Sequence, residues 1–359
     1  MTILTGPVWI LTSQLADYGC AILAILINSI LLYCILTKSN KGMGRYKYLM
    51  AYFSSQSMFF SVLASFTHMS FHTIGGTFMM FTSKNYLNLP SWAIWILLGL
   101  CCISVGYVLL ILTAQFIYRY LAMKNNANAQ RYFTGWRLSY LVISMIIVAV
   151  IYGGCGFAGI SLTKEKDEMI RETMALEYNT TADQIHYVAV EYFSRNENNT
   201  RCWNYSSVGT ALALNFIFSC MVVLIIFFGF KTYNQTQVNT ANLSNHERLH
   251  RQLFRALLIQ TATPTILIFL PCIIFYALPI FEIPLGVDAN ILSITLVMYP
   301  VIDPVGVLYI MKNYRNFLKK CLSKLICRCF ELPKSSKGPS KICRNAEENI
   351  EMENRFHSI

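Results

Sequence analysis

The segment WAIWILLGLCCISVGYVLLILTAQFIY, residues 92–118, contains no charged side chain. A helix crosses the roughly 30 Å hydrocarbon core of a bilayer with about 20 consecutive apolar residues, and this segment is longer than that. An open strand is excluded here, because its backbone N–H and C=O groups would have no partners in lipid. The segment therefore predicts a membrane-spanning helix.

Six further segments share this character, and together the seven predict an all-α membrane protein, a seven-transmembrane helix bundle. The six are residues 18–37, 48–70, 138–162, 208–230, 257–278 and 289–311, the last with a single acid, Asp303. Of the 359 residues, 55% are hydrophobic and 13% are charged, whereas an ordinary soluble domain is about 25% charged. This composition excludes a disordered chain and disfavours a soluble enzyme.

The distribution of Lys and Arg predicts the orientation of the bundle. Bases concentrate in the first, third and fifth connections, whereas the N-terminus and the second and sixth connections hold Lys84 alone. Because short cytoplasmic loops carry the excess of bases, we expect the N-terminus outside and the C-terminus in the cytoplasm. Residues 1–17 are then a short extracellular N-terminus, and residues 18–311 form the seven-span domain.

Glycosylation patterns give a second, independent indication of orientation. The long fourth connection, residues 163–206, holds three Asn-X-Ser/Thr acceptors, Asn179, Asn198 and Asn204. Such acceptors are modified only on the extracellular or lumenal face. Two further patterns, at Asn234 and Asn242, fall on the predicted cytoplasmic side. We expect these two to be unused.

The net charge of +11 is interpreted as charge of the membrane face, with no nucleic-acid partner. Residues 312–330 read as a basic, amphipathic juxtamembrane helix, and anionic lipid attracts each such base by about 1 kcal/mol. Residues 331–359 are predicted to be a disordered cytoplasmic tail. Three cysteines of the juxtamembrane helix, Cys321, Cys327 and Cys329, are palmitoylation candidates, with unmodified surface thiols as the alternative.

Cys202 is the one clear cysteine of the predicted extracellular loops. A disulfide with Cys20, Cys101 or Cys102 and a free thiol both remain open at this stage.

One motif suggests catalysis. His246-Glu-Arg-Leu-His250 matches H-E-x-x-H, in which two histidines at i and i+4 bind zinc and the Glu acts as base. Here Arg248 and Arg251 lie beside the would-be ligands and oppose a divalent cation. A solvated helix leading into span six is favoured, so we predict no metal site, no cofactor and no enzymatic activity.

The ends of spans three and seven carry polar groups of a different kind. Span three ends in Tyr118-Arg119-Tyr120, a cation among aromatic rings that can stack on its guanidinium. Span seven contains Met298-Tyr-Pro-Val-Ile-Asp-Pro304, and each proline removes a backbone donor and kinks the helix. A kink beside the buried acid Asp303 fits a two-state element, although a purely structural kink is the competing interpretation.

These blocks together resemble the nematode serpentine chemoreceptors of the str type, the group of G-protein-coupled receptors that includes the diacetyl odorant receptor. The resemblance rests on blocks spread over most of the chain, namely Gly44-Arg-Tyr-Lys-Tyr-Leu-Met50, Phe116-Ile-Tyr-Arg-Tyr120, Gly135-Trp136, Leu253-Phe-Arg-Ala-Leu-Leu-Ile-Gln-Thr261, Tyr299-Pro-Val-Ile-Asp-Pro304 and Lys312-Asn-Tyr-Arg315. It implies a receptor for a small odorant that activates a heterotrimeric G protein, in the plasma membrane of a sensory cilium.

The resemblance also implies roles for single residues. Arg119, between Tyr118 and Tyr120, matches the Arg that meets the G protein when span six swings out, and Asp303-Pro304 matches the hinge of span seven. Two departures limit this transfer: Tyr118 stands where rhodopsin-like receptors have an acid, and Val307 stands where they have a Tyr. The detailed rhodopsin-like switch is therefore not transferred.

The outer halves of spans three, five, six and seven offer neutral polar groups among apolar neighbours. The candidates for the ligand pocket are Cys101, Cys102, Tyr107, Asn215, Tyr276, Asn290, Ser293 and Thr295. Because spans three to six hold no buried acid to pair with an amine, the pattern favours a small uncharged molecule. Two rivals remain, a seven-span ligand-gated channel with its N-terminus inside and a membrane zinc metalloprotease.

Overall fold

A computed structural model describes residues 3–83, 89–124, 129, 131–158, 164–181, 184–195, 200–237 and 245–330. In this part of the chain, seven helices are long and apolar enough to cross a membrane, which confirms the seven-helix prediction. Span one is Gly6–Thr37, span two Tyr46–Thr67, span three Ser91–Lys124, span four Trp136–Ala158, span five Tyr205–Gln237 and span seven Ile291–Ile310.

Span six is composite. An α-helix over Asn245–Pro264 leads into a π-helical turn over Thr265–Phe269, then an α-helix over Leu270–Ala277 and a 3₁₀ turn over Leu278–Phe281. A further helix, Lys312–Phe330, follows span seven and is called the terminal helix below. It coincides with the predicted juxtamembrane helix.

Two ends of spans differ from the sequence prediction. Span one begins at Gly6 rather than Tyr18, because its polar residues Ser13 and Asp17 lie buried against neighbouring elements instead of ending the helix. Span two ends at Thr67 rather than Ser70, because His68 takes a left-handed backbone conformation, with φ 43°, and caps the helix through its N–H. Asp17 Oδ2 and His68 Nδ1 then lie 2.6 Å apart and link the two spans.

Span three forms the centre of the bundle, and small residues bring its neighbours close. A Cβ added at Gly106 would lie 2.7 Å from the ring of Tyr152 on span four, too close for any real side chain. In lipid, helices associate through such close packing rather than through the hydrophobic effect. Gly106 therefore fixes how spans three and four approach each other.

The prolines of span seven are accommodated by span one. Pro304 has no N–H, so the carbonyl of Pro300, four residues earlier, lacks its usual helical donor. The side-chain amide of Asn28 donates to this oxygen at 2.8 Å, and its own oxygen accepts from Ser54 Oγ of span two at 2.9 Å. A buried carbonyl in lipid is thus satisfied by a side chain that ties three spans together.

One end of the bundle, called the capped end, carries β-structure that the sequence did not predict. Strands β1 (Ser70–Ile74), β2 (Thr77–Ser83) and β3 (Ile185–Glu191) form an antiparallel sheet in that order, and β4 (Phe193–Arg195) pairs with β5 (Arg201–Trp203). The fourth connection, expected as a loop, therefore contains three strands. It also contains a helix, Lys164–Tyr178, the cap helix.

The three-stranded sheet is covered on both faces. Phe71, Phe78, Met80, Val188 and Val190 share one face and pack against the spans. On the other face, Met79, Phe81 and Ala189 pack against the cap helix and Trp9 of span one. Successive side chains of a strand point to opposite faces. Because both faces of this sheet are buried, its strands lack the alternation of apolar and polar residues by which a half-exposed strand is predicted from sequence.

Polar contacts fasten the sheet to span seven. Asn290 Oδ1 accepts from the backbone N–H of Phe71 at 3.0 Å, and its Nδ2 donates to the Tyr178 hydroxyl at 2.9 Å. The Tyr178 hydroxyl also lies 3.2 Å from His72 Nδ1. One buried side chain of span seven therefore holds both a strand and the cap helix.

His72 belongs to this network as a neutral ring. Burial lowers the pKa of its imidazole from 6.5 to about 4. Since the Tyr178 hydroxyl accepts from Asn290, it is free to donate to an unprotonated His72 Nδ1. Glu177 Oε2, 3.9 Å from His72 Nε2, is the nearest carboxylate, and burial raises the pKa of that carboxyl. The cap thus requires uncharged His72.

Replacing Asn28 by Ala should destabilise the bundle, because the buried carbonyl of Pro300 loses its donor. An unsatisfied buried polar group costs about 1–3 kcal/mol. We expect thermal unfolding in lipid nanodiscs a few degrees lower than in the original protein. Ser29→Ala is the matched control, since the Ser29 hydroxyl is exposed and only contacts Met58 Sδ. Equal unfolding temperatures for the two variants would contradict this role of Asn28.

Acidification should loosen the cap through His72. The unfolded chain binds a proton at His72 below about pH 6.5 and the folded protein only near pH 4, so stability is complete above pH 6.5 and falls as the pH drops between these values. We expect a loss of about 2 kcal/mol between pH 7 and pH 5. Thermal unfolding measured across this range should show a flatter profile for His72→Phe, and parallel profiles would refute the assignment.

Candidate functional site

A cavity of about 150 Å³ lies between the three-stranded sheet and the spans. The sheet contributes Phe71, Phe78, Met80, Val188 and Val190, and spans three to seven contribute the remaining walls apart from Met69. An apolar cavity of this volume in another protein accommodates benzene. The cavity is therefore large enough for a molecule of about six non-hydrogen atoms.

The chemistry of the cavity wall is neutral. Its polar side chains are Cys101, Cys102, Tyr152, Asn215, Cys272 and Tyr276, and none of the described lining residues is Asp, Glu, His, Lys or Arg. Phe78 of β2 and Tyr276 of span six pack with ring centroids 4.7 Å apart, which joins the sheet to span six across the cavity. A few hydrogen-bonding groups in an apolar wall suit an uncharged ligand.

The structure brings together four of the eight candidate pocket residues, Cys101, Cys102, Asn215 and Tyr276. The other four lie outside the cavity wall. The Tyr107 hydroxyl lies 2.6 Å from that of Tyr52 on span two. Asn290 fastens the sheet, as described above, Ser293 donates to Ser13 of span one, and Thr295 bonds a carbonyl of its own helix.

The cavity also contains residues that the sequence did not indicate. Tyr152 comes from span four, and the sheet residues belong to connections expected as loops. Few local signals mark these positions, because the sheet is complete only when β3 pairs with β2 across more than 100 residues of chain. The apolar run Thr77–Thr82 is the one hint, since it is too short to span a membrane.

At the opposite end, called the Arg119 end, the guanidinium of Arg119 is buried with 1% of its surface exposed. Its Nη2 donates to the backbone carbonyl of His250 on span six at 2.7 Å. The same group lies 5.1 Å from the ring centre of Tyr46 on span two. Arg119 therefore links spans two, three and six without a carboxylate among the described residues it contacts.

The neighbours of Arg119 complete this link. Tyr118 stacks on Tyr46, with ring centroids 5.6 Å apart, and meets Phe133 edge-on. Tyr120 packs on Phe228 of span five. The Tyr46 hydroxyl donates to Gln115 Oε1 at 3.1 Å. The aromatic residues on either side of Arg119 thus contact different neighbours, and only Tyr118 faces the span that carries Tyr46.

Asp303 and Pro304 lie midway along span seven. Asp303 is buried, hydrogen-bonds the side-chain amide of Gln260 on span six, and its Oδ1 has no partner in the described part of the chain. One turn away, the Tyr299 hydroxyl lies 3.0 Å from Ser57 Oγ of span two. Spans six and seven are therefore joined by a polar contact beside Pro304.

The H-E-x-x-H motif lies in the first turns of span six. His250 is buried, and its backbone oxygen is the acceptor for Arg119. The side chain of His246 lies outside the described residues. In the structure, the motif is part of a helix that contacts span three through the His250 carbonyl.

The predicted modification sites are placed as follows. Asn179 and Asn204 lie at the capped end, whereas Asn234 lies in the last turns of span five at the Arg119 end. Asn198, Asn242 and the side chains of Cys327 and Cys329 are outside the described residues. Cys321 is exposed on the terminal helix, and Cys202 is exposed on β5. Cys202, Cys20, Cys101 and Cys102 are all free thiols.

Comparison with known proteins identifies relatives along most of the chain. The family described as "Serpentine type 7TM GPCR chemoreceptor Str" matches residues 13–319. "Serpentine receptor class r-10" of Caenorhabditis elegans is 25% identical over 321 residues, which is 88% of this chain and 93% of that receptor. Its namesake in Caenorhabditis briggsae is 24% identical over 327 residues, 89% and 94% of the two chains.

A third relative, "G-protein coupled receptor str-33" of Caenorhabditis elegans, is 24% identical over 294 residues, covering 81% of this chain and 85% of that one. The family match begins in the first third of span one and continues through the other six spans, the strands of the cap and the Arg119 end. The chain belongs to the str-type family of serpentine seven-transmembrane G-protein-coupled chemoreceptors.

Proposed function

We propose that this receptor binds a small, uncharged odorant in the cavity beneath the sheet and activates a heterotrimeric G protein at the Arg119 end. The observation that carries the proposal is the cavity itself, which lies within the bundle, is sized for a benzene-like molecule and has no Asp, Glu, His, Lys or Arg on its described wall. Lack of an acid there argues against an amine ligand.

Span six supplies a route from the cavity to the Arg119 end. Phe269, Cys272 and Tyr276 of its outer part line the cavity, and His250 of its first helix accepts from Arg119. Between these parts lie Pro264 and the π-helical turn, and both are common causes of bends in helices. In this proposal, a ligand that displaces the outer part of span six changes the bend at Pro264 and the π-helical turn. The first helix of span six then moves, and Arg119 is released from the His250 carbonyl toward the G protein.

In this scheme the capped end is extracellular and the Arg119 end cytoplasmic, as the distribution of bases predicts. The terminal helix lies along the cytoplasmic face, where its Lys and Arg contact anionic lipid and the exposed Cys321 is open to palmitoylation. The plasma membrane of a sensory cilium is the proposed location, by likeness to the family.

Replacing Arg119 by Ala should abolish signalling while leaving delivery to the cell surface largely intact. The variant lacks both the contact to span six and the cation proposed to meet the G protein. Calcium responses of transfected cells to the odorants that activate the original receptor should fall at least tenfold. Arg119→Lys, which keeps the charge but loses the planar guanidinium, should retain part of the response.

Glu247→Gln is the matched control for this experiment. Glu247 is the would-be base of the H-E-x-x-H motif, one turn from the His250 carbonyl. We expect near-normal responses from it. Normal responses from Arg119→Ala would count decisively against coupling through this site, and loss of activity in Glu247→Gln alone would favour the metalloprotease alternative.

Mapping of N-glycans tests the proposed orientation and separates the receptor from an inverted channel. Asn179→Gln should reduce a mobility shift that is sensitive to endoglycosidase, whereas Asn234→Gln should leave it unchanged. Asn204 Oδ1 accepts from the backbone N–H of Ser207 at the start of span five, so Asn204 is expected to be the poorer acceptor. Glycans on Asn234 or Asn242 would overturn the orientation.

A further inference from the structure

The cavity is closed toward the capped end. The sheet residues that face it are buried, and the opposite face of the sheet is covered by the cap helix and Trp9. Asn290 fastens β1 to span seven, and Thr73 Oγ1 accepts from the backbone N–H of Leu285 at 3.0 Å. A molecule arriving from the water at this end would have to break a packed, hydrogen-bonded layer.

The wall between spans five and six is different. Two lining residues are exposed on the outside of the bundle, Asn215 on span five and Ile273 on span six, the latter with 45% of its surface. Toward the cap, Tyr276 and Ala211 both pack against the cluster of Val190, Tyr192 and Phe193, and toward the Arg119 end the rings of Phe218 and Phe269 lie 5.3 Å apart. The exposed part of the wall between these levels, at Asn215 and Ile273, is called the lateral mouth below.

The backbone of span six is irregular beside the lateral mouth. The π-helical turn ends at Phe269, and Pro271, which has no N–H to donate, follows two residues later. Ile273 lies in the short helix after this interruption. Moving an irregular segment away from span five costs less free energy than moving a continuous α-helix would. The part of the wall that is exposed is therefore also the part that moves most easily.

We propose that the ligand enters the cavity from the bilayer, through the lateral mouth between Asn215 and Ile273. This inference rests on the proposed function only in assigning the cavity to the ligand. It narrows the ligand class to uncharged molecules of about benzene's size that partition into lipid. Asn215 Nδ2 donates one N–H to the carbonyl of Ala211 at 2.9 Å, and its second N–H suits a ligand with a carbonyl or ether oxygen.

The cysteines of the cavity allow a test that needs no known ligand. Cys102 lines the wall on span three, across from the lateral mouth, and Cys202 on β5 is exposed to water. Methyl methanethiosulfonate is small, neutral and soluble in lipid, and its trimethylammonium-ethyl analogue carries the same reactive group on a permanent cation. In each case the thiolate attacks the sulfenyl sulfur, a mixed disulfide forms and methanesulfinate leaves.

The full-length receptor in lipid nanodiscs, which expose both faces to water, is treated with each reagent and analysed by peptide mass spectrometry. We expect the neutral reagent to modify Cys102 and the cationic reagent to modify it at least tenfold more slowly. Cys202 should react readily with both, which gives an internal reference for reagent activity. Equal rates for the two reagents at Cys102 would overturn the proposal, because a cation does not cross lipid.

Filling the lateral mouth should block the neutral reagent. Ile273→Trp should slow modification of Cys102 at least tenfold. Ile266→Trp is the matched control, since Ile266 lies two turns earlier on span six, is 61% exposed and does not line the cavity. Asn215→Trp, with Leu212→Trp as its control, repeats the test from span five, in case one variant folds poorly.

Unchanged modification of Cys102 in both mouth variants, or no modification in the original protein, would refute a route from the bilayer. Neither measurement involves a G protein. If the labelling results contradict entry through the lateral mouth, the Arg119 experiment still decides the receptor proposal. If the Arg119 experiment contradicts G-protein coupling, the labelling results still decide the route of entry.

Discussion

The absence of water from the hydrocarbon core is the constraint on which this structure depends, because every polar group of a span must find its partner within the protein. Pro304 leaves the carbonyl of Pro300 without a helical donor, and Asn28 of span one supplies one. Arg119 is buried, contacts no carboxylate among the described residues, and uses the carbonyl of His250. The contacts that join the spans are thus placed where a helix by itself leaves a polar group unsatisfied.

The same constraint separates the two ends of the molecule. At the capped end, Asn290 and Tyr178 use their hydrogen bonds to close a sheet over an apolar cavity, and few polar groups remain for a ligand. Toward the Arg119 end, Arg119 is held to span six by the carbonyl of His250, and Gln115 Nε2 has no partner in the described part of the chain. The first arrangement favours a rigid wall, and the second suits the change of partners that the proposed function requires of span six.

The sequence predicts the spans well because each is a long apolar run, and a helix is the only way to satisfy the backbone of a single segment in lipid. It also indicates Arg119 and Asp303, because a charge in such a run is costly and stands out. The cap escaped prediction, since β1, β2 and β3 are buried on both faces and β3 pairs with a strand more than 100 residues earlier in the chain. For the same reason only four of eight candidate residues line the cavity.

The binding energy of the proposed ligand can be compared with the free-energy cost of separating Arg119 from its uncharged partner, the carbonyl of His250. A benzene-sized molecule has about six non-hydrogen atoms, and the best small ligands gain at most about 1.5 kcal/mol per atom, or about 9 kcal/mol in all. Moving a two-state equilibrium from 1:99 to 99:1 already requires about 5.5 kcal/mol of differential affinity. Breaking a buried ion pair would add about 3–5 kcal/mol, whereas exchanging a carbonyl acceptor costs about 1.5–3 kcal/mol. With Tyr118 in place of an acid, the proposed opening of this link by a small ligand requires less binding energy than breaking an ion pair would.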